Sequence, residues 1–289
     1  MDMKAILGLL LFSYSIIAFG QEDIEPFDMY GPPGAVYTTL ADALKDSKIA
    51  FKVKIDNQVI DPKLFPKIGK LTNLQALQLT NNSITQLPAE FKELKNLFYF
   101  ACIGNELTSL PKDFGNLEQL TELHLHSVKL DSLPTEIAYL NRLKALEIQN
   151  NKAAVFYFPN SFGYLASLSS LLLFNTKLDT LPASFSELKN LKSLTLAMCG
   201  LKQIPPPICK INSLEILILD NNSLSQLPKG LYKLKNLKYL SLKSNKLSSI
   251  ADEVCMLKNL EMLDLRGNYF KEYSIAILKV LLPKCRILY

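Results

Sequence analysis

The same arrangement of residues starts nine times along this chain, at Leu71, Leu94, Leu117, Leu140, Leu165, Leu188, Ile211, Leu234 and Leu257. Most units are 23 residues long, as in LTNLQALQLTNNSITQLPAEFKE and LKNLFYFACIGNELTSLPKDFGN. This period restricts the fold sharply. A unit so short has too little apolar surface to fold alone, so successive units must stack and share one continuous core. A solenoid is expected, each coil touching only its neighbours.

Each recurring column has a physical cause. In LQALQL, Leu74, Leu77 and Leu79 face the stack interior, while Ala76 and Gln78 face outward on a concave side, the two-residue period of a strand. An asparagine column follows the strands at Asn82, Asn105, Asn151, Asn222, Asn245 and Asn268. An amide offers both donors and acceptors, so it can satisfy turn backbone in the adjoining coil. Val128, Thr176 and Cys199 take this place elsewhere, so the ladder weakens mid-chain. Pro88, Pro111, Pro134, Pro159, Pro182, Pro205 and Pro228 fix the return turn and disfavour a long helix there. Phe91, Phe114, Ile137, Phe162, Phe185, Ile208, Leu231 and Val254 form a second core column on the convex side.

The resulting pattern, LxxLxLxxNxLxxLPxxF, resembles the leucine-rich repeat over about residues 50 to 289. The resemblance implies an α/β fold: a right-handed horseshoe solenoid with a parallel concave β-sheet and nine repeats over residues 71–270. The Leu-Pro version is similar to secreted bacterial leucine-rich repeat proteins. Comparable repeats occur in animal scaffolding proteins and in plant Ras-group-related repeat proteins. Such folds take partners on the concave face.

Both ends of a solenoid need caps. TTLADALKDSKIAFKVKI reads as a helix and a first strand, within an N-terminal cap at 38–70. YSIAILKVLLPKCRILY reads as a helix from about Ser274, a stop at Pro283 and a final short strand, within a C-terminal cap at 271–289. At the start, Lys4 precedes an apolar run from Ala5 to Phe19, shorter than the about 20 residues a bilayer span needs. The run ends on Ala18-Phe19-Gly20, a small-x-small site, so residues 1–20 are read as a signal peptide cleaved before Gln21. Residues 21–37 then form an acidic, extended lead-in. The expected location is the periplasm or the cell exterior, with no integral membrane span after cleavage. No cysteine follows the apolar run, so no lipid anchor is expected. A net charge of +5 is too mild to argue for nucleic acid.

Five cysteines in an exported chain raise the question of disulfides. Cys102 holds a core leucine position and Cys199 an asparagine position. Cys209 and Cys255 share a convex column two coils apart, roughly 10 Å at strand spacing and beyond the ~7 Å that a disulfide bridges. Cys285 lies in the cap. Five free thiols are expected.

The chain's two histidines occur in ELHLHS, where Glu122, His124 and His126 share the concave side and Glu147 follows one coil later at the column of His124. Two imidazoles and a carboxylate are plausible transition-metal ligands. However, same-face residues on a strand lie about 7 Å apart, wide for a closed site. The row is therefore read as polar binding surface, with no metal or cofactor.

The concave face should be mostly polar, yet Tyr99, Ile103, Leu172, Phe174, Met198, Ile216 and Ile218 are not. Leu172, Phe174, Ile216 and Ile218 are expected to form one apolar patch, and such patches mark interaction sites. His124, His126, Asp220 and Tyr239 complete the candidate binding surface. In the fourth repeat, NNKAAVFYFPNSFGY carries two extra residues before Pro159. Phe158 takes the leucine position there, leaving Phe156 and Tyr157 for the rim or for bending the solenoid. The sequence has no GxSxG, HExxH or phosphate-binding glycine loop, so no catalytic residues are expected. The expected function is a non-enzymatic, exported interaction module that binds an unidentified protein or peptide on its concave face, as a monomer or weak homodimer. The alternative is surface adhesion or an envelope scaffold, acting through self-association or glycan binding.

Overall fold

The computed structural model describes residues 32, 34–150, 155–250 and 252–289. The signal-peptide reading, most of the lead-in, and Asn151 lie outside the described residues. The first elements are β1 (Val36–Tyr37), α1 (Leu40–Lys45) and β2 (Lys52–Asp56). The repeat strands follow as β3 (Ala76–Thr80), β4 (Tyr99–Ile103), β5 (Glu122–Val128), β6 (Ala145–Asn150), β7 (Ser170–Phe174), β8 (Ser193–Ala197), β9 (Ile216–Ile218), β10 (Tyr239–Ser241) and β11 (Met262–Asp264). The chain closes with α2 (Glu272–Leu281) and β12 (Arg286–Leu288). All twelve strands form one parallel sheet, and their order in space is their order in the chain. Twelve parallel strands joined by short 3-10 turns make a leucine-rich repeat solenoid.

The proline column explains the turns. Pro88 precedes the 3-10 turn Ala89–Glu93 with φ −68° and ψ 153°, an extended conformation that suits a fixed proline ring. Its carbonyl accepts from the Phe91 amide at 3.0 Å, which closes the turn and drives Phe91 inward. The same geometry recurs at Pro111, Pro134, Pro159 and Pro182. The phenylalanines so placed stack on one another: Phe91 on Phe114 at 6.1 Å between ring centroids, Phe162 on Phe185 at 4.9 Å.

Equivalent residues of successive coils sit side by side, as Ala101 with His124 and His124 with Glu147. The register slips between His126 and Val128, where Ser127 adopts φ 55°. Val128 lacks an amide at the ladder position, and β5 runs on through it instead of turning. In the two other substituted coils, Thr176 Oγ1 donates to the Phe174 carbonyl at 3.0 Å and Cys199 Sγ to the Ala197 carbonyl at 3.4 Å. Each replaces part of what an asparagine supplies.

The N-terminal cap begins one strand earlier than its sequence pattern suggests. Val36 of β1 pairs with Lys52 of β2, so the end of the lead-in joins the sheet. Thr39 caps α1, its Oγ1 accepting from the Asp42 amide at 3.1 Å. At the other end Ile275, Leu278 and Leu282 are buried in the core, and β12 pairs with β11. Among the described residues no helix is long and apolar enough to cross a membrane.

In the fourth repeat Phe158 packs between Phe156, Phe162 and Phe185 at 5.0, 4.5 and 5.0 Å. Phe156 does not reach the rim: it is fully buried. Its amide donates to Lys177 O at 2.8 Å and that of Tyr157 to Asp131 O at 2.9 Å. These contacts reach opposite neighbours, and alternation turns Phe156 inward while Tyr157 is 55% exposed. No disulfide joins the five cysteines; Cys102, Cys199 and Cys209 are buried. Burial pushes the Cys102 and Cys199 thiols up to about 12, too high for thiolate chemistry at neutral pH.

Candidate functional site on the concave face

Outward-facing residues on parallel strands stand about 4.8 Å from their counterparts on the next strand. Large side chains there cover one another. Tyr99 and Ala101 are buried in a small cluster with Ala76 and the partly buried Ile103. Ile216 and Ile218 are only 4% and 2% exposed, packed with Tyr239. Leu172 and Phe174 are half-buried, two strands away. Between the pairs lies β8, with Thr195 in register with both Leu172 and Ile218. The four residues therefore do not form one exposed patch. Ile216 and Ile218 belong to a closed cluster, and only Leu172 and Phe174 remain partly accessible. Met198 follows β8 at φ 56° and is 45% exposed, its amide donating to Asp220 O at 3.0 Å.

Asp220 is buried and accepts hydrogen bonds from Ser241 Oγ and the Lys243 amide. Burial pushes its carboxyl above the usual range, the Ser241 hydrogen bond opposes this, and the charge of Asp264 adds to the rise. Asp264 is itself buried and held by the Arg266 guanidinium at 3.0 Å. Ser241 and Asp264 occupy outward columns of β10 and β11, yet both are buried.

The histidine row is more tightly built than the strand spacing indicates. His124 Nδ1 lies 3.0 Å from Glu147 Oε2 and its Nε2 lies 3.2 Å from Glu122 Oε2. His126 Nε2 reaches the same Glu147 oxygen at 3.0 Å. The two rings meet edge to face at 5.9 Å, and the Tyr99 ring packs 5.2 Å from that of His124. Both histidines are more than nine-tenths buried, at 9% and 7% exposed. His126 Nδ1 is buried without a hydrogen-bond partner. The gap between same-face Cα atoms is bridged by ring length and by Glu147 from the next strand. Its signal in the sequence is the register itself, since Glu147 stands 23 residues after His124.

Burial disfavours a charged imidazole at His124, but the hydrogen bonds and charges of Glu122 and Glu147 outweigh it and raise its pKa from 6.5 to about 9. Burial likewise opposes ionisation of Glu147, yet the two histidines hold it well below the usual carboxylate range. Each shift ties stability to pH, because folding then changes the number of bound protons. The raised His124 contributes stability that is complete below 6.5 and is lost as pH rises towards about 9. The lowered Glu147 contributes stability present above 4.5 and lost as pH falls. The cluster therefore stabilises most between these limits. Thermal melting in chelator-treated buffer should show a loss of up to about 3 kcal/mol between pH 6 and 9.5. His124→Gln should flatten that slope; an unchanged slope would remove His124 as its source.

The family profile described as "Leucine-rich repeat region" matches residues 54–155 and 160–282. A solved structure of a Leptospira interrogans leucine-rich repeat protein is similar at 23% identity and a TM-score of 0.39, covering 89% of this chain and 100% of that one. No curated protein matches the sequence. The profile covers most of the chain, and the residues it matches contain the repeat strands β3 to β11 described above: this chain belongs to the leucine-rich repeat family.

Proposed function

We propose that this chain is an exported, non-enzymatic interaction module that binds a protein or peptide across its concave face. Leucine-rich repeat proteins generally act as interaction modules. The observation that carries the reading is the accessible apolar set Leu172, Phe174 and Met198 on that face. Further along the sheet, past β9, stand the exposed Lys243 after β10 and Arg266 after β11, charged residues of the kind found at interface rims. Ile216, Ile218 and Tyr239 lie further along the same face in a closed cluster, and Tyr99 lies in another nearer the N-terminal end. The apolar run from Ala5 to Phe19 supports export.

The test is crosslinked capture from envelope and extracellular extracts, comparing the native chain with Phe174→Asp plus Met198→Asp. Buried Ile218 is unsuitable as a probe, because its substitution disturbs packing with Ile216. A species captured by the native chain and reduced by about tenfold or more with the variant supports the site, since central contacts typically carry 2 kcal/mol or more. Equal recovery by both proteins overturns it. N-terminal sequencing of material recovered outside the cytoplasm tests export: a start at Gln21 is expected, and a start at Met1 sinks that half of the reading.

A further inference from the structure

One nitrogen from each of His124 and His126 and a carboxylate oxygen of Glu147 all lie within 4.8 Å of one another. We propose that these three side chains bind one divalent transition-metal ion of the zinc class, with Glu122 orienting His124 from behind. The site requires no partner and stands independently of the binding reading above.

Four observations converge on it. The donor set comes first: two imidazoles and one carboxylate suit zinc and its neighbours, whereas calcium and magnesium take oxygen ligands. Next is spacing. His124 Nδ1 and His126 Nε2 each stand 3.0 Å from Glu147 Oε2. Ligands bound at about 2.0–2.1 Å in a tetrahedron are roughly 3.3 Å apart, so two edges of that figure are nearly in place. The remaining nitrogen-to-nitrogen edge closes by rotation of the imidazoles.

The third observation is Glu122. A metal-bound histidine commonly gives its other ring N–H to a carboxylate, which fixes its tautomer and orientation. Glu122 Oε2, 3.2 Å from His124 Nε2, occupies that place and leaves Nδ1 directed at Glu147. Fourth is the orphaned nitrogen. His126 is buried yet held at one nitrogen only, its Nδ1 having no hydrogen-bond partner. With no bond holding the far side of the ring, nothing opposes turning Nε2 from Glu147 towards an ion. Strand register holds the group together, with His124 beside Glu147 and the Tyr99 ring tilted 34° against that of His124. Three protein ligands leave a fourth coordination position open to water.

The experiment uses the untagged full chain, stripped with chelator and titrated with Zn2+ against a chromophoric competitor. One ion per chain is expected, with a dissociation constant below about 1 µM. His126→Ala and Glu147→Gln should each weaken binding by at least about 100-fold, and Glu122→Gln by about 10–100-fold, as for orienting partners. Because the chain has two histidines, their ring resonances in NMR give a second readout that needs no variant: both should move on Zn2+ addition. Co2+ should give a nitrogen and oxygen ligand-field spectrum without thiolate charge transfer. Absence of stoichiometric binding overturns the proposal. So do unmoved histidine resonances, thiolate charge transfer, or full affinity in both ligand variants.

Discussion

Asn222→Ala should lower the stability of this protein by about 3–5 kcal/mol, read as a shift in the midpoint of chemical denaturation. The side chain is buried and serves two coils at once. Its Nδ2 donates to the carbonyls of Leu196 at 2.7 Å, Leu219 at 2.9 Å and Asp220 at 3.3 Å. Its Oδ1 accepts from the amides of Cys199 at 3.1 Å and Leu201 at 3.0 Å. Alanine leaves these backbone groups buried and without that partner, and each unsatisfied group costs about 1–3 kcal/mol. Asn82 provides the internal control. Its Nδ2 reaches Gln58 O at 2.8 Å, but its Oδ1 is buried without a partner. Asn82→Ala should therefore cost less, about 1 kcal/mol. Equal losses at the two positions would show that the ladder acts through side-chain volume rather than through hydrogen bonds.

Phe162→Ala should cost about 3–5 kcal/mol, the range for deleting a fully buried phenyl ring. The Phe162 ring stacks on Phe185 at 4.9 Å and 17° and meets Phe158 at 4.5 Å. The cost depends on whether neighbours can move into the space. Gly163 indicates that they cannot. A Cβ added there would lie 1.8 Å from the Ser184 carbonyl oxygen, so the turns of the two coils already touch backbone to backbone. With the backbones in contact, sliding cannot fill the cavity. A loss below about 2 kcal/mol would mean that Phe158 or Phe185 swings in instead.

The solenoid was legible because each column answers to a local rule. Alternating leucines specify strands, prolines specify the return turns, and the phenylalanines fall inward once the turn closes. The site was less legible, because pattern gives the direction of a side chain and not the crowding it meets. Ile218 points to the concave side as its pattern requires, yet Ile216 and Tyr239 cover it. Phe156 lies in a segment of altered length, where column counting loses its register. The closeness of the histidine contacts was hidden for another reason: spacing along one strand describes backbone, whereas these contacts lie at ring tips and at a carboxylate on the next strand. The extra strand β1 carries two residues, too few for periodicity to register.

The sheet's order has a consequence for how this chain reaches its native state. Since β1 to β12 follow one another in space as in sequence, no strand waits for a distant partner. Side-chain hydrogen bonds between coils span intervals such as 20 residues from Asn150 to Leu130 or 28 from Thr176 to Ile148. The entropy lost in closing each coil is that of a loop of about this length, nearly the same for the last coil as for the first. Assembly can therefore advance as growth from an existing end, each finished coil offering an edge to the next. A chain emerging end-first from a narrow pore meets that requirement without delay. Growth would slow at the coils of Val128, Thr176 and Cys199, where the edge presented lacks an amide.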